Sequence, residues 1–341
     1  AVAAAPSGPV RLGGGPAAVA RAAGIAVQAA GPRGGAQGLP SPSGTPAPAG
    51  GDQRPLQILG DARDAALHGR PGKVFELARQ DRDSSIAVQR ALELSLSRLS
   101  SAIEHQDWDE YEGAQWDIQA LLADLHGHTI DGLKDPHANH VIKLIAHTMP
   151  TEHVGFVAAE LMGHGVWAAR HNYACRTVLR LGRHCGGGGW ASECAEAVVD
   201  EVLRSAPDLC SDEFGKFVLE EFLERGLPEH RRRVVAALRE RLLRNARNKH
   251  ASGLVEKAVR FADEEDSKAI IEELTGSQDT VLSLVRNQYG MYVLRDLALC
   301  GGDLARRVRT ALLPLASELQ NSKQGRKLLE LISNMDTAPR R

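Results

Sequence analysis

The residues in this chain best equipped for chemistry are thiols and imidazoles. His184, Cys185 and Cys194, with Cys175 and Cys210 nearby in sequence, are all potential metal ligands. None of them forms the C-x₂₋₄-C pair that a tetrahedral zinc site usually needs, so buried or surface thiols are expected and no metal is assigned. A second group, His126, His128, His137, His140 and His147, reads as turn and helix-surface histidines before it reads as ligands. The glycine run Gly186–Gly189 has no P-loop lysine after it, so a flexible insertion is expected there rather than a phosphate cradle. The patterns G-x-x-x-x-G-K-S/T, H-E-x-x-H and G-x-S-x-G are all missing, which removes the usual nucleotide, zinc-protease and hydrolase signatures. No catalytic residue and no cofactor is assigned, and the chain reads as a binding protein rather than an enzyme.

Composition shows where the ordered elements must lie. The chain has 341 residues, with 41 Lys and Arg against 43 Asp and Glu for a formal charge of −2. That balance excludes a chain pervaded by basic charge but leaves room for a local basic groove. Ala, Gly and Pro fill 35 of the first 51 positions, and the first acidic residue is Asp52. Such a segment has little to bury against the entropy of ordering, so residues 1–54 are expected to be a disordered tail. Arg11, Arg21 and Arg33 in this acid-free stretch also fit an organelle transit peptide. The chain opens on Ala1 and not on Met, which leaves room for residues upstream. No apolar run approaches the roughly 20 residues that cross a bilayer, so no membrane contact is expected. Five cysteines, an odd number spread through a long chain, read as reduced thiols of an intracellular protein. A cytoplasmic monomer is expected, with the nucleolus or an organelle as alternative locations.

From residue 56 onward the text is helical and repeats itself. Leu254, Val255, Ala258 and Val259 form one apolar helical stripe. The stripe recurs as Val141, Ile142, Ile145, Ala146, as Val218, Leu219, Phe222, Leu223, and as Val293, Leu294, Leu297, Ala298. Weaker copies lie at 83–92, 174–182 and 324–333. A small residue precedes each copy: Ser84, Ala138, Ala174, Gly215, Ala251, Gly290 and Gly325. The steps between these are 54, 36, 41, 36, 39 and 35 residues. A period of this size, with helices in every unit, is the signature of an α-solenoid. The long first step is assigned to the acidic stretch 104–117, where Trp108 and Trp116 are expected to fill a core. Other amphipathic stretches at 191–206, 229–246 and 303–320 make each repeat at least two helices. Pro150 and Pro228 should begin helices, and Pro314 should kink or split one. The expected architecture is all-α: a curved solenoid of about seven repeats over 55–335, with a short C-terminal tail at 336–341.

The segment NKHASGLVEKAV at 248–259 resembles the Pumilio repeat, whose units place an edge–stacker–x–x–edge quintet on a helix. DPHANHVIKLI, EFGKFVLEEFL and NQYGMYVLRDL fit the same mould. The resemblance implies single-stranded RNA, about one base per repeat, read by two side chains four residues apart. A flat side chain between successive bases would stack and add roughly 1–3 kcal/mol per base. Carried over repeat by repeat, the first has Ser85 and Gln89 as edge residues around Ile86. The second has Asn139 and Lys143 with His140 as stacker, and the third Cys175 and Leu179 with Arg176. Lys216 and Glu220 then flank Phe217, and Met291 and Arg295 flank Tyr292. Ser252 and Glu256 flank Gly253 and are expected to share one exposed face. Arg326, Lys327 and Glu330 complete a degenerate last repeat. Lys143, Leu179 and Arg295 stand where the family most often has Gln, a departure that favours generic single-strand binding over sequence readout.

Residues 215–262 carry twelve Lys and Arg against six acids, a local excess that suits a nucleic-acid groove. The alternative is that Arg231, Arg232, Arg233, Arg239 and Arg241 are the solvated face of an outer helix. By resemblance, the RNA is messenger RNA bound in its 3′-untranslated region, and regulatory proteins on the convex face would control translation or decay. The competing readings are a protein-binding solenoid of the HEAT or armadillo kind and a nucleolar factor in ribosome assembly.

Overall fold

The computed structural model describes residues 53–70, 72–299, 302–321 and 323–336. The expected tails at 1–54 and 336–341, and Cys300, fall almost entirely outside the described residues. Every regular element among them is a helix. The first four are α1 (Arg54–Leu67), α2 (Val74–Gln80), α3 (Arg82–His105) and α4 (Trp108–Ala123). From residue 129 the chain settles into a three-helix repeat: a short helix, the striped helix foreseen above, then a longer one. The first such repeat is α5 (Thr129–Lys134), α6 (Asn139–Thr148) and α7 (Thr151–Leu161). Next come α8 (Gly165–Arg170), α9 (Cys175–Leu181) and α10 (Trp190–Arg204). They are followed by α11 (Ala206–Leu209), α12 (Gly215–Arg225) and α13 (Pro228–Arg239). The fourth repeat is α14 (Leu242–Ala246), α15 (Ser252–Phe261) and α16 (Glu264–Thr275). The fifth is α17 (Gln278–Val285), α18 (Gln288–Leu299) and α19 (Gly302–Leu312), and α20 (Ala316–Gln320) and α21 (Lys323–Asp336) close the series.

The chain divides into two compact parts. The larger takes in Lys73–Gln89 and everything from Leu122 onward, and it is a helical solenoid. In it the striped helices form one continuous row, α6 on α9, α9 on α12, α12 on α15, α15 on α18 and α18 on α21. The longer helices α7, α10, α13, α16 and α19 form a second row in the same order. The stripes are the glue between rows, since Val141, Ile145, Val218, Leu219, Leu254, Val255, Val293 and Leu294 are all fully buried. At about 25 cal/mol per Å² of apolar surface removed from water, each such side chain contributes of order 2 kcal/mol.

The smaller part comprises the described residues up to Gly72 together with Arg90–Leu121. Its core is Ile58, Leu59, Ala62, Ala91, Leu92, Ala114, Ile118 and Leu121. Asp117, with no exposed side-chain surface, lies between the Arg63 and Arg98 guanidiniums, and Arg98 Nε also donates to Glu110 at 2.6 Å. Two guanidiniums on one buried carboxylate compensate its desolvation. The long first repeat step is absorbed by the 24-residue α3, much longer than the other striped helices, and by α4. Trp108 and Trp116 do not fill this core: each is 41% exposed on α4. Their shared face, correctly read from the eight-residue spacing, turns outward because Ala114, Ile118 and Leu121 already supply the buried side.

Pro228 begins α13, Pro150 caps α7, and α19 stops at Leu312, where Pro314 enforces a 3₁₀ turn before α20. The stretch 229–246, read as one amphipathic run, is two helices parted at Glu240 and Arg241. The Gly186–Gly189 insertion is a defined turn. Gly186, Gly188 and Gly189 have positive φ, and the Gly186 N–H donates to Glu196 Oε1 at 2.8 Å.

Candidate nucleic-acid interface

The striped helices α3, α6, α9, α12, α15 and α18 are started by the same side-chain device. Asp135 Oδ1 accepts from the backbone N–H groups of His137 and Ala138, and Asp212 Oδ1 from those of Phe214 and Gly215. Asn248 does the same for His250 and Ala251, and Asn287 for Tyr289 and Gly290. His171 Nδ1 takes this role for Tyr173 and Ala174, and Asp81 accepts from Ser84 N. A short acceptor at this point satisfies backbone donors that the helix itself cannot. The third residue of the turn must be small, since its Cα meets the short helix of its own repeat. A Cβ on Gly215 would come within 2.7 Å of Leu209 Cδ2, and one on Gly290 within 2.8 Å of the Leu284 carbonyl oxygen. At Gly215 and Gly290 the short helix of the same repeat leaves no room for a Cβ, while Ala138, Ala174 and Ala251 fit there with a single methyl. Their acceptor partners three residues upstream follow the same spacing in the sequence, a signal that sequence reasoning missed.

The residue after the turn is the first edge position, and it is largely inside the protein. Ser85, Asn139, Cys175, Ser252 and Met291 are between 2% and 8% exposed. Ser85 Oγ donates to the His137 carbonyl at 2.9 Å, and Asn139 Nδ2 to that of Asp135 at 2.7 Å. The expectation that Ser252 and Glu256 share one exposed face is thus corrected: Ser252 is buried beside the neighbouring helices and Glu256 is half-buried. Lys216, with a longer side chain, is half-buried and lies over the Phe217 ring at 4.8 Å.

The next residue along points out. Phe217 is 45% and Tyr292 41% exposed, Arg176 is exposed, and His140, Ile86 and Gly253 are half-buried. Five side chains other than glycine therefore stand at one position of the row, on α3, α6, α9, α12 and α18. Burial pushes the His140 imidazole below its ordinary range, reinforced by Lys143, Arg176, His137 and Arg82, so at neutral pH it presents an uncharged flat ring. A cleft of about 460 Å³ opens between Ile86 and His140, lined also by Arg82, Ser85, Gln89, Pro136 and His137.

The second edge positions differ along the row. Gln89 Nε2 donates to the Ser85 carbonyl and hydroxyl, both at 3.2 Å. Lys143 sits 3.5 Å from His140 Nδ1, and burial with Arg176 and Arg180 lowers its pKa. Leu179 is half-buried. Glu220 is held by Lys257 Nζ at 2.7 Å, and the same ammonium reaches Glu224 at 2.6 Å. Burial works against the Lys257 charge, but its hydrogen bonds to the two carboxylates prevail and raise its pKa. Burial, reinforced by Asp296, pushes the Glu256 carboxyl up to about 7. Arg295 pairs with Asp296 at 2.7 Å and lies over the Tyr292 ring at 4.9 Å. In the last repeat Arg326, Lys327 and Glu330 are exposed.

The basic window at 215–262 has a different location from the groove it suggested. Arg231, Arg232, Arg233 and Arg239 belong to α13, in the second row. Arg233 pairs with Asp200, Arg239 with Asp266 and Glu273, and Arg241, just beyond α13, with Asp208. Carboxylates of the flanking repeats account for Arg233, Arg239 and Arg241, Arg231 donates to the Glu224 carbonyl and Arg232 is exposed, so these arginines lie off the row of striped helices.

No group of three or more potential ligands gathers as a metal site among the described residues. His184 bonds through both ring nitrogens, to the Ala146 carbonyl and Thr151 Oγ1. Cys175, Cys185, Cys194 and Cys210 are free and buried, and burial pushes the Cys185 and Cys210 thiols up to about 12. His126 stacks on Phe156 and His128 on Phe75, each at 4.2 Å. Among the described residues no helix is long and apolar enough to cross a membrane.

Comparison with known proteins agrees with this geometry. The model of the Pumilio-family RNA binding repeat matches residues 206–239 and 246–275. The first match runs from the start of α11 to the end of α13, one whole three-helix repeat. The chain is 24% identical over 214 residues to the Pumilio domain-containing protein C6G9.14 of Schizosaccharomyces pombe. It is 22% identical over 225 residues to Pumilio homology domain family member 4 of Saccharomyces cerevisiae. These alignments take in 62% and 63% of this chain but only 30% and 25% of the relatives' length. Among solved structures, PUF-8 in complex with PBE-RNA superposes with a TM-score of 0.65 at 18% identity, covering 82% of this chain and 75% of that one. The Puf4 RNA binding domain bound to an HO endonuclease RNA 3′ UTR recognition sequence gives 0.57 at 22% identity, covering 82% and 93%. At such identities these two likenesses speak for the fold.

Proposed function

Because this chain carries divergent Pumilio-family RNA binding repeats, we propose that it binds single-stranded RNA along the row of striped helices. The observation that carries the reading is the line of outward side chains at one fixed position: Ile86, His140, Arg176, Phe217 and Tyr292. Ile86 offers apolar contact, and the other four are flat or cationic groups, each anchored by a buried neighbour on a packed helix, which is what successive unstacked bases need. The cleft between Ile86 and His140 has room for one base. The first edge residues are largely buried, so the base edges are left to the second edge residues Gln89, Lys143, Glu220, Glu256 and Arg295. Related solenoids in complex with 3′ UTR sequences support messenger RNA as the target class. On this reading the chain performs no chemistry, acts in the cytoplasm as a monomer, and influences translation or decay through proteins it recruits.

The test is retention of a randomised single-stranded RNA pool by the chain at two salt concentrations, with sequencing of the retained RNA. The Phe217→Ala/Tyr292→Ala variant runs in parallel. Retention by the parent and its loss in the variant is the expected result. No retention at either salt concentration would overturn the reading.

A further inference from the structure

The turns that start α15 and α18 border a cleft that the base-stacking line does not use. It has a volume of about 570 Å³ and is lined by Leu243, Arg244, Arg247, Asn248 and Asn287. Asn248 and Asn287 are the turn residues that start α15 and α18, and their Oδ1 atoms are committed to backbone N–H groups at 2.7–3.1 Å. What each can still offer is its Nδ2, which only donates. Arg244 and Arg247 are exposed, and neither makes an ion pair or side-chain hydrogen bond among the described residues. Every polar side chain on the lining is therefore a donor with nothing to accept. Such a cleft suits an anion rather than a cation or the mixed edge of a base.

The contrast with the same turn elsewhere is specific. At three other repeats its acceptor is a carboxylate: Asp81, Asp135 and Asp212. Asp212 meets the nearby Arg170 at 3.7 Å and offsets its charge. Flanking arginines are offset too, Arg241 by Asp208 and Arg286 by Glu318. Among the described residues, the two successive turns that carry asparagine rather than aspartate have two unpaired guanidiniums beside them, Arg244 and Arg247. Asn248 and Asn287 also lie four residues, about one helical turn, ahead of Ser252 and Met291, so the cleft adjoins the base-facing row.

We propose that this cleft holds a phosphate group of the RNA backbone as the strand passes α15 and α18. The inference rests on the RNA-binding reading above. Arg244 and Arg247 supply charge-assisted hydrogen bonds to the non-bridging oxygens, and the two carboxamides orient the group. Such an interaction adds affinity without adding base preference.

The test measures the affinity of the full chain for single-stranded RNA against salt concentration. Arg244→Gln/Arg247→Gln should flatten the log–log slope by about 1.4, at roughly 0.7 for each cationic side chain withdrawn from the phosphates, with the retained RNA sequences unchanged. Asn248→Asp/Asn287→Asp should weaken binding in the same way with an unchanged melting temperature, because aspartate already serves this turn at 135 and 212. Arg204→Gln/Lys268→Gln removes the same charge from the second row and should leave the slope unaltered. If the parent binds RNA and the Arg244/Arg247 variant keeps its slope, the cleft assignment is overturned while the RNA reading stands. If the parent binds no RNA, both fall. Binding of a phosphoserine peptide that the Arg244/Arg247 variant loses, with its RNA slope intact, would reassign the cleft to a protein partner and overturn the proposal.

Discussion

The row of striped helices is built on one frame but carries two chemistries. Over α6 and α9 its open surface is cationic: Lys143, Arg176 and Arg180 lie close enough to lower one another's or His140's pKa, and the outward groups are an imidazole and a guanidinium. Over α12, α15 and α18 the outward groups are the rings of Phe217 and Tyr292, and carboxylates occupy the next turn. Those carboxylates are largely spent within the protein, Glu220 and Glu224 on Lys257 and Asp296 on Arg295. On the proposed RNA-binding reading, the first stretch would attract a polyanion and the second would stack bases within a lattice of repeat-to-repeat ion pairs. The family model matches the repeats of α12 and α15, both in the second stretch. The surface chemistry differs between the two stretches, while the turn that starts the helices is shared.

The comparison breaks most visibly at the rings. Replacing Phe217 and Tyr292 with alanine should weaken RNA binding about 10²-fold or more, at roughly 1–3 kcal/mol per stacked base, with no change in circular dichroism. An effect below about threefold in fluorescence anisotropy would remove the distinction between the stretches. Next in size is Lys257→Met, which strands two half-buried carboxylates and should cost about 1–2 kcal/mol in urea unfolding. The triple change with Glu220→Gln and Glu224→Gln should recover most of that loss, which sharpens the claim that the second stretch uses its charges for packing.

In the cationic stretch, Lys143→Gln/Arg176→Gln should lower affinity about tenfold and flatten the salt dependence by roughly 0.7 per cation removed, without shifting stability. A steep unfolding penalty instead would place those cations in the structural lattice as well. The smallest effect concerns Glu256. Its carboxyl, at about 7 in the folded chain against an ordinary 4.5, holds its proton more tightly when folded. The stability linked to that proton is present below the ordinary value and is lost as pH rises from 4.5 to about 7. Discounted for partial exposure, the loss is about 1 kcal/mol, and Glu256→Gln should abolish it in a pH series of melting curves.

Much of this was legible in the linear text because it is local. The 3.6-residue stripe marks a buried helix face wherever Val, Leu and Ile recur at that spacing, and every residue read as part of the four strong stripes is buried. The outward line of His140, Arg176, Phe217 and Tyr292 follows from the same geometry, one step round the helix from the stripe. The small residue before each helix was also legible, although its cause, backbone approach to a short helix of the same repeat, was not.

What the tertiary structure decided was the fate of every face that two helices could contest. An amphipathic pattern shows that Arg231–Arg233 oppose a buried stripe, but only the second row supplies the Asp200, Asp266 and Glu273 that meet Arg233 and Arg239. Likewise Ser252 and Asn139 lie on the same side as the base-facing residues, yet neighbouring helices close over them. Trp108 and Trp116 share a face as their spacing required, and that face turned outward because smaller side chains had filled the inside. Sequence periodicity determines which residues lie together on a helix. Which neighbour covers them depends on packing between segments tens of residues apart, and no local pattern encodes that.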